Sequence, residues 1–145
     1  MNTNASTFAA VLLTLLVAHM WGDHSAQTDH QAAHKGRPGP DSGTTNAESW
    51  RAMLGHLVSY HAVMIVMLAA VVFALDLRVG VTGCAAGVAF LVVTHGFWDR
   101  RWPVALFMRI TRSPQWAKDP QGRYLVDQSQ HWLCLWLASL LIVLV

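Results

Sequence analysis

Four long apolar runs alternate with three polar connections along the chain. The runs fall at roughly residues 7–22, 52–75, 79–98 and 124–145. About 20 apolar residues cross a bilayer as a helix, so each run is a candidate span, although the first is short. The connections are a loop over 23–51, a tight turn after the second run, and a basic loop over 99–123. The pattern predicts one transmembrane domain over 1–145: an all-α integral membrane protein built as a four-helix up-and-down bundle.

Two segments carry further signals. In the basic loop, Pro103 suits a first helical turn and Leu106 and Phe107 could rest on the lipid boundary, which predicts a short interfacial helix over 103–111. The first run has the length of a signal-peptide core. However, His19 and Asp23 stand where a cleavage site needs small residues, so we expect a retained helix.

Composition supports the membrane interpretation. Apolar residues make up 54% of the chain and charged residues 12%, against about 25% charged residues in soluble domains. This excludes a disordered chain, a nucleic-acid binder with a broad basic surface, and most soluble enzymes. We therefore expect the lipid bilayer as a partner and no nucleic acid. The third run is rich in small residues such as Gly83 and Gly87, which let membrane helices approach closely.

The basic residues are distributed unequally between the two ends of the predicted spans. The first and third connections carry nine of the ten: Lys35, Arg37, Arg51, Arg100, Arg101, Arg109, Arg112, Lys118 and Arg123. The second connection has only Arg78. Lysine and arginine near spans stay on the cytoplasmic side. The distribution predicts a multi-pass protein of the cytoplasmic (inner) membrane with both termini outside the cytoplasm.

The ionisable groups of the apolar runs all fall at that same cytoplasmic end. In an alternating bundle, the ends of the first and third runs meet the starts of the second and fourth. In chain order these groups are His19, Asp23, His56, His61, His95, Asp99, Asp127 and His131. Ionisable residues inside spans are costly and usually functional.

The spacing of these groups points to a metal site. His19 and Asp23, His95 and Asp99, and Asp127 and His131 are separated by four residues and so share a helix face. Inward carboxylates and imidazoles are one way in which a helix bundle holds metal. This donor set suits a divalent ion such as Zn, Mn or Fe, and there are enough ligands for one ion or two. The three aspartates are also candidate catalytic groups, since a carboxylate that is not a ligand can act as a general base.

Other interpretations stay open at this point. The cluster could be a structural polar network that joins membrane helices, and Asp127 could simply cap the last helix. Ligation of haem by two histidines is disfavoured by the paired carboxylates. Proton or ion transport is disfavoured by the apolar outer half of every span. His24, His30 and His34 are best explained as solvated surface histidines.

The chain also resembles a known membrane family, catalogued as domain of unknown function 3307. The resemblance rests on four stretches: LVAHMWGDHSAQTD, LGHLVSYH, VTHGFWDRRWPV and YLVDQSQHW. It covers nearly the whole chain except the Gly/Pro-rich part around 35–46. The recurring polar positions that it implies are His19, Asp23, Gln27, Asp29, His56, His61, His95, Asp99, Asp127, Gln128 and His131. The family occurs in bacteria and phages, and the segment Asp99 to Pro103 resembles its actinobacterial branch, while His30 replaces a more usual aromatic residue.

Two functions are predicted from these observations. The first is a metal-dependent hydrolase acting on a lipid headgroup or another membrane-bound substrate, because a bound metal activates water and polarises an ester or phosphoryl group. The layout is similar to small inner-membrane proteins described as metal-dependent hydrolases, which is an analogy. The alternative is a non-enzymatic membrane accessory protein, acting for instance in phage lysis or superinfection exclusion. Either function is compatible with a homo-oligomer.

Overall fold

The computed structural model describes residues 3–145, and this part of the chain contains helices and turns but no strand. The six α-helices are α1 (Thr3–Met20), α2 (Asp29–His34), α3 (Asn46–Ala74), α4 (Val81–Trp98), α5 (Trp102–Ile110) and α6 (Pro120–Leu144). A π-helical turn, Trp21–Ser25, continues α1, and a 3-10 turn, Trp116–Lys118, precedes α6. The predicted all-α class is therefore confirmed. Residues 1 and 2 of the predicted domain lie outside the described residues.

Three helices are long and apolar enough to cross a membrane. They are α1 with its π turn, from Asn4 to Ser25, then α3 and α4. Helix α6 spans 25 residues, but polar residues such as Gln128 and His131 lower the hydropathy of its first half. Helix α3 begins at Asn46 rather than at residue 52, because the Thr45 side chain accepts a hydrogen bond from the Glu48 amide and caps the helix there.

The long helices bury one another and leave apolar side chains on their outer faces. Helix α1 contacts α3 and α6, and α4 contacts the same two helices. Their shared core includes Leu15, Met64 and Leu135. On the outside, Phe73 is 84% exposed and Val81 is 87% exposed. Apolar residues on both the inner and the outer faces are what a helix surrounded by lipid requires.

Helices α4 and α6 approach each other closely because α4 presents glycines at the contact. A Cβ atom on Gly87 would lie 2.6 Å from Cγ1 of Ile142, and one on Gly83 would lie 2.8 Å from the Ile142 carbonyl oxygen. Neither position has room for a larger residue without movement of α6. The close approach predicted from the small residues of this run is thus confirmed.

The connection between α1 and α3 folds back over one end of these helices instead of forming an open loop. Its helix α2 begins with a capping box, in which Thr28 and Gln31 exchange hydrogen bonds. The Arg100 guanidinium then donates to the Lys35 carbonyl at 3.0 Å and to the Ser49 hydroxyl at 2.8 Å. These bonds hold the connection against α3 and α4 and place Lys35 inside the protein.

The short helix predicted over 103–111 is present as α5. Pro103 lies in its first turn. Val104 and Met108 are buried against the rest of the protein, while Phe107 and Ile110 on other faces are exposed. An apolar exposed face on a helix beside the ends of the long helices suits a position at a membrane boundary.

Candidate metal centre

The π-helical turn at the end of α1 positions the first carboxylate. The Ala26 amide donates to the Trp21 carbonyl at 2.8 Å, five residues back instead of four. Such a turn contains one residue more than the regular helix allows, and single π turns occur frequently at functional sites. Asp23 lies inside it and is buried, with its side chain directed toward α3, where Oδ1 is 3.2 Å from His56 Nε2.

Asp99, at the C-terminus of α4, lies at the centre of the polar cluster. Its Oδ2 atom is 3.1 Å from His56 Nε2 and 3.1 Å from His95 Nε2. Its Oδ1 atom is 3.6 Å from His131 Nε2. The carboxylate thus faces imidazoles from α3, α4 and α6 and is itself almost fully buried.

Lys35 enters this cluster from the connection that covers it. Its amine donates a hydrogen bond to Asp23 Oδ1 at 2.7 Å, and it also lies 2.9 Å from Asp99 Oδ2 and 3.0 Å from His56 Nε2. Only 7% of Lys35 is exposed. A buried lysine is rare unless it is paired, and here it has two carboxylates as partners.

The charges of Lys35 and Asp99 stabilise each other. Burial alone would lower the pKa of Lys35, but Asp99 and Asp23 outweigh it and raise that pKa above its usual value. Burial alone would raise the pKa of Asp99, but His95, His131 and His56 hold it well below its usual range. At neutral pH the pair is therefore an ammonium and a carboxylate.

Two overlapping groups of side chains bring their ligand atoms within 4.8 Å of one another. The inner set consists of Asp23, His56, His95 and Asp99. The outer set consists of Asp99, Asp127 and His131, and shares Asp99 with the inner set. Within the described residues a third group, His30, His34 and Glu48, lies at the surface between α2 and α3. The two buried sets together contain six of the eight predicted ligands.

His19, also predicted as a ligand, belongs to neither buried set and takes part in a chain of hydrogen bonds. Its Nδ1 atom lies 3.0 Å from the Tyr60 hydroxyl and its Nε2 atom 2.9 Å from Gln128 Oε1. The Gln128 amide then donates to Asp23 Oδ2 and Asp127 Oδ2, each at 3.4 Å. His19 is thus connected to Asp23 through Gln128.

His61 and Asp127 also differ from the simplest expectations. His61 Nδ1 bonds the Leu57 carbonyl at 2.8 Å, and the residue belongs to neither buried set. The interpretation of Asp127 as a helix cap is wrong, because α6 begins at Pro120 and Asp119 caps it through the Gln121 amide. Asp127 therefore lies two turns inside α6, where its Oδ2 atom is 3.6 Å from His131 Nε2.

A cleft of about 760 Å³ opens onto one side of this cluster. Asp23, Asp99 and Asp127 line it, together with Tyr124 of α6. The basic residues in its lining are Lys35, Arg37, Arg100, Arg101 and Arg123. The cleft therefore has both acidic and basic side chains in its lining.

Two polar residues of the cluster were not among the predicted site residues. Tyr60 had a usable signal, since it is a polar residue at the same end as the histidines, and Lys35 was predicted only as one of the basic residues that set orientation. Gln128 was named only as a recurring polar position of the family, without a role. Lys35 had no such signal, because its burial depends on how a Gly/Pro-rich connection folds over the helices.

Comparison with known protein families shows which family the chain resembles. The family model described as "Protein of unknown function (DUF3307)" matches residues 11–145, a range that contains both buried sets. This confirms the resemblance noted in the sequence, while the assignment to an actinobacterial branch stays a prediction. Comparison with curated proteins and with solved structures found no match.

Proposed function

The chain belongs to the DUF3307 family, and we propose that it is a small multi-pass membrane protein with a divalent-metal centre. In this proposal the centre serves the hydrolysis of a membrane-bound or headgroup substrate. The observation that carries the proposal is the position of Asp99, whose two oxygens face imidazoles of α3, α4 and α6 in a buried cluster.

The membrane arrangement extends the three candidate spans by a fourth. Helix α6 contacts both α1 and α4, so it would cross the bilayer with them as the fourth helix of an up-and-down bundle. Lys35 and Arg100 are buried, which leaves seven exposed basic residues at this end: Arg37, Arg51, Arg101, Arg109, Arg112, Lys118 and Arg123. They support a cytoplasmic position for the cluster and for α5, with both termini on the opposite side.

The donor chemistry supports a divalent ion. Imidazole and carboxylate together suit Zn, Mn or Fe. Such an ion would lower the pKa of a water molecule and polarise an ester or phosphoryl oxygen. Asp23, Asp99 and Asp127 would hold ions or accept protons. The basic side chains that line the cleft, including Arg37 and Arg123, would attract an anionic headgroup.

Elemental analysis of the full chain purified in detergent tests the metal proposal. We expect at least one Zn, Mn or Fe ion per chain in the wild type, and its loss in Asp99→Asn. Asp41→Asn, which makes the same chemical change on an exposed loop residue, should keep the ion. Absence of ions from the wild type, or retention in Asp99→Asn, would contradict the proposal.

A second candidate function has its own supporting observation, which is Lys35. Its ammonium lies within 3.0 Å of carboxylate oxygens of both Asp23 and Asp99, so the cluster is neutralised in part without an ion. In that case it would join the helices of a non-enzymatic accessory protein of a bacterial or phage membrane. This function would be favoured if the wild type binds no ion and the Asp99→Asn variant unfolds more easily than the wild type.

A further inference from the structure

We infer that the protein binds a single divalent ion in the outer set, formed by Asp99, Asp127 and His131, while the Lys35 ammonium occupies the inner set. This inference rests on the proposed metal centre and selects one of its two sets. Three observations support it: the position of Lys35, the unpartnered nitrogen of His131, and access from the cleft.

Lys35 fills the inner set. Its amine is within 3.0 Å of ligand atoms on Asp23, Asp99 and His56, three of the four inner residues. An ion bonded to those same atoms at about 2.0–2.2 Å would lie against the amine and repel its charge. The Lys35 ammonium already balances part of the negative charge of these carboxylates.

The main chain around Lys35 keeps the amine in this position. The Arg100 guanidinium donates to the Lys35 carbonyl, and the Arg101 guanidinium donates to the Ala32 carbonyl at 2.6 Å. Gly36 is packed so tightly that a Cβ atom there would lie 2.8 Å from Arg101 Cδ. Withdrawal of Lys35 would break these contacts.

In the outer set, by contrast, the ring nitrogen that faces the carboxylates has no hydrogen-bond partner within residues 3–145, whereas His56 Nε2 and His95 Nε2 of the inner set have one. His131 Nε2 is 3.6 Å from Asp99 Oδ1 and 3.6 Å from Asp127 Oδ2, which is too long for hydrogen bonds. Among the described residues, this buried atom has no hydrogen-bond partner. Ligand atoms around a tetrahedral ion with bonds of about 2.0–2.1 Å lie roughly 3.3 Å apart, so a shared cation would satisfy all three residues.

The outer set is also easier for an ion to reach. Asp99 and Asp127, two of its three residues, line the cleft, as do Asp23 and Asp99 of the four inner residues, but Lys35 already contacts both of those carboxylates. The Asp127 side chain is 22% exposed, while that of His56 is fully buried. Three protein ligands with further positions open to a cleft are typical of catalytic rather than structural zinc sites.

This arrangement places two cations on either side of Asp99. The Lys35 ammonium contacts Oδ2 and the ion would bind Oδ1, so the ammonium takes the place of the second ion of a two-metal site. A substrate with a negatively charged oxygen, such as a phosphate ester, would approach the ion from the cleft, which Asp99 and Asp127 line.

Titration of the full chain in detergent with Zn²⁺ alone tests the inference. We expect one ion per wild-type chain, binding at least about 10-fold weaker in His131→Gln, and binding within about 3-fold of wild type in His56→Gln. Lys35→Met, which vacates the inner set, should bind two ions.

The outcomes distinguish a failure of this inference from a failure of the proposed metal centre. Two ions in the wild type, loss of binding in His56→Gln with retention in His131→Gln, or one ion in a folded Lys35→Met would overturn the inference and leave a metal centre. If the wild type and Lys35→Met both bind no ion, the proposed function fails as well. The two histidine variants decide the question even if Lys35→Met does not fold.

Discussion

Replacing Lys35 with methionine removes the ammonium that contacts Asp23 and Asp99 while keeping a side chain of similar length. At 2.7 Å and 2.9 Å, and with an effective dielectric constant of about 20, each contact contributes about 6 kcal/mol of attraction. Most of this offsets the desolvation of the three groups. The measured cost of breaking a buried pair is about 3–5 kcal/mol, because an uncompensated charge stays behind.

The expected result is a lower thermal unfolding midpoint for Lys35→Met in the presence of a chelator. At about 3 °C per kcal/mol for a chain of this size, the loss corresponds to roughly 9–15 °C. Adding Zn²⁺ at about 100 times its dissociation constant should raise the free energy of unfolding of the variant by about 2.7 kcal/mol, because the vacated inner set can then bind an ion. Circular dichroism of the detergent-solubilised protein measures both effects.

Lys118→Met is the matched control, since it makes the same chemical change on an exposed lysine of the turn before α6. It should shift the free energy of unfolding by less than about 0.5 kcal/mol. If Lys35→Met unfolds at the same temperature as this control, the amine is not the counter-ion of the two aspartates and the reasoning about the inner set is wrong.

Three further substitutions test other parts of the structure. Gly87→Ala places a Cβ atom 2.6 Å from Ile142 Cγ1 and should lower the free energy of unfolding, measured by thermal unfolding, by about 1–3 kcal/mol. Gly80→Ala, whose Cβ would lie 3.6 Å from its nearest contact, should lower it less. Arg100→Gln should raise amide hydrogen exchange across residues 35–45 at least about 10-fold, since it weakens two hydrogen bonds to a charged donor; unchanged exchange would show that other contacts hold the connection. Val66→Arg, on the exposed face of α3, should reduce membrane integration by an amount equivalent to about 2.5–3.5 kcal/mol, while normal integration would argue against a span there.

The long helices were predictable because their pattern is local. Four apolar runs separated by turn residues indicate four helices, and the predicted positions of α4 and α5 differ from the observed ones by one or two residues at their first residue. The start of α3 was less predictable, because its first turns are polar. Thr45 and Glu48 at a spacing of three residues were the available signal for that start.

The candidate site was predictable in its components but not in its connectivity. Placing histidines and aspartates at one end of alternating helices brings six of eight predicted ligands into two buried sets. Which of them lie in the same set depends on how the chain folds around them: the 26–45 connection brings Lys35 to the cluster, and the π turn contains Asp23, which lies beside His56. Both depend on contacts between residues far apart in the chain, which local periodicity does not record.

The π turn also makes the length of this part of the chain important. Removing one residue from Trp21–Ser25 would restore regular α-helical hydrogen bonding and rotate the preceding helix by roughly 100° relative to Asp23. Core positions such as Val11 and Leu15 would then turn out of the core if the carboxylate kept its place. The extra residue therefore lets one continuous helix direct its apolar face toward one neighbouring helix and the Asp23 carboxylate toward another. A deletion here should be far more damaging than most substitutions.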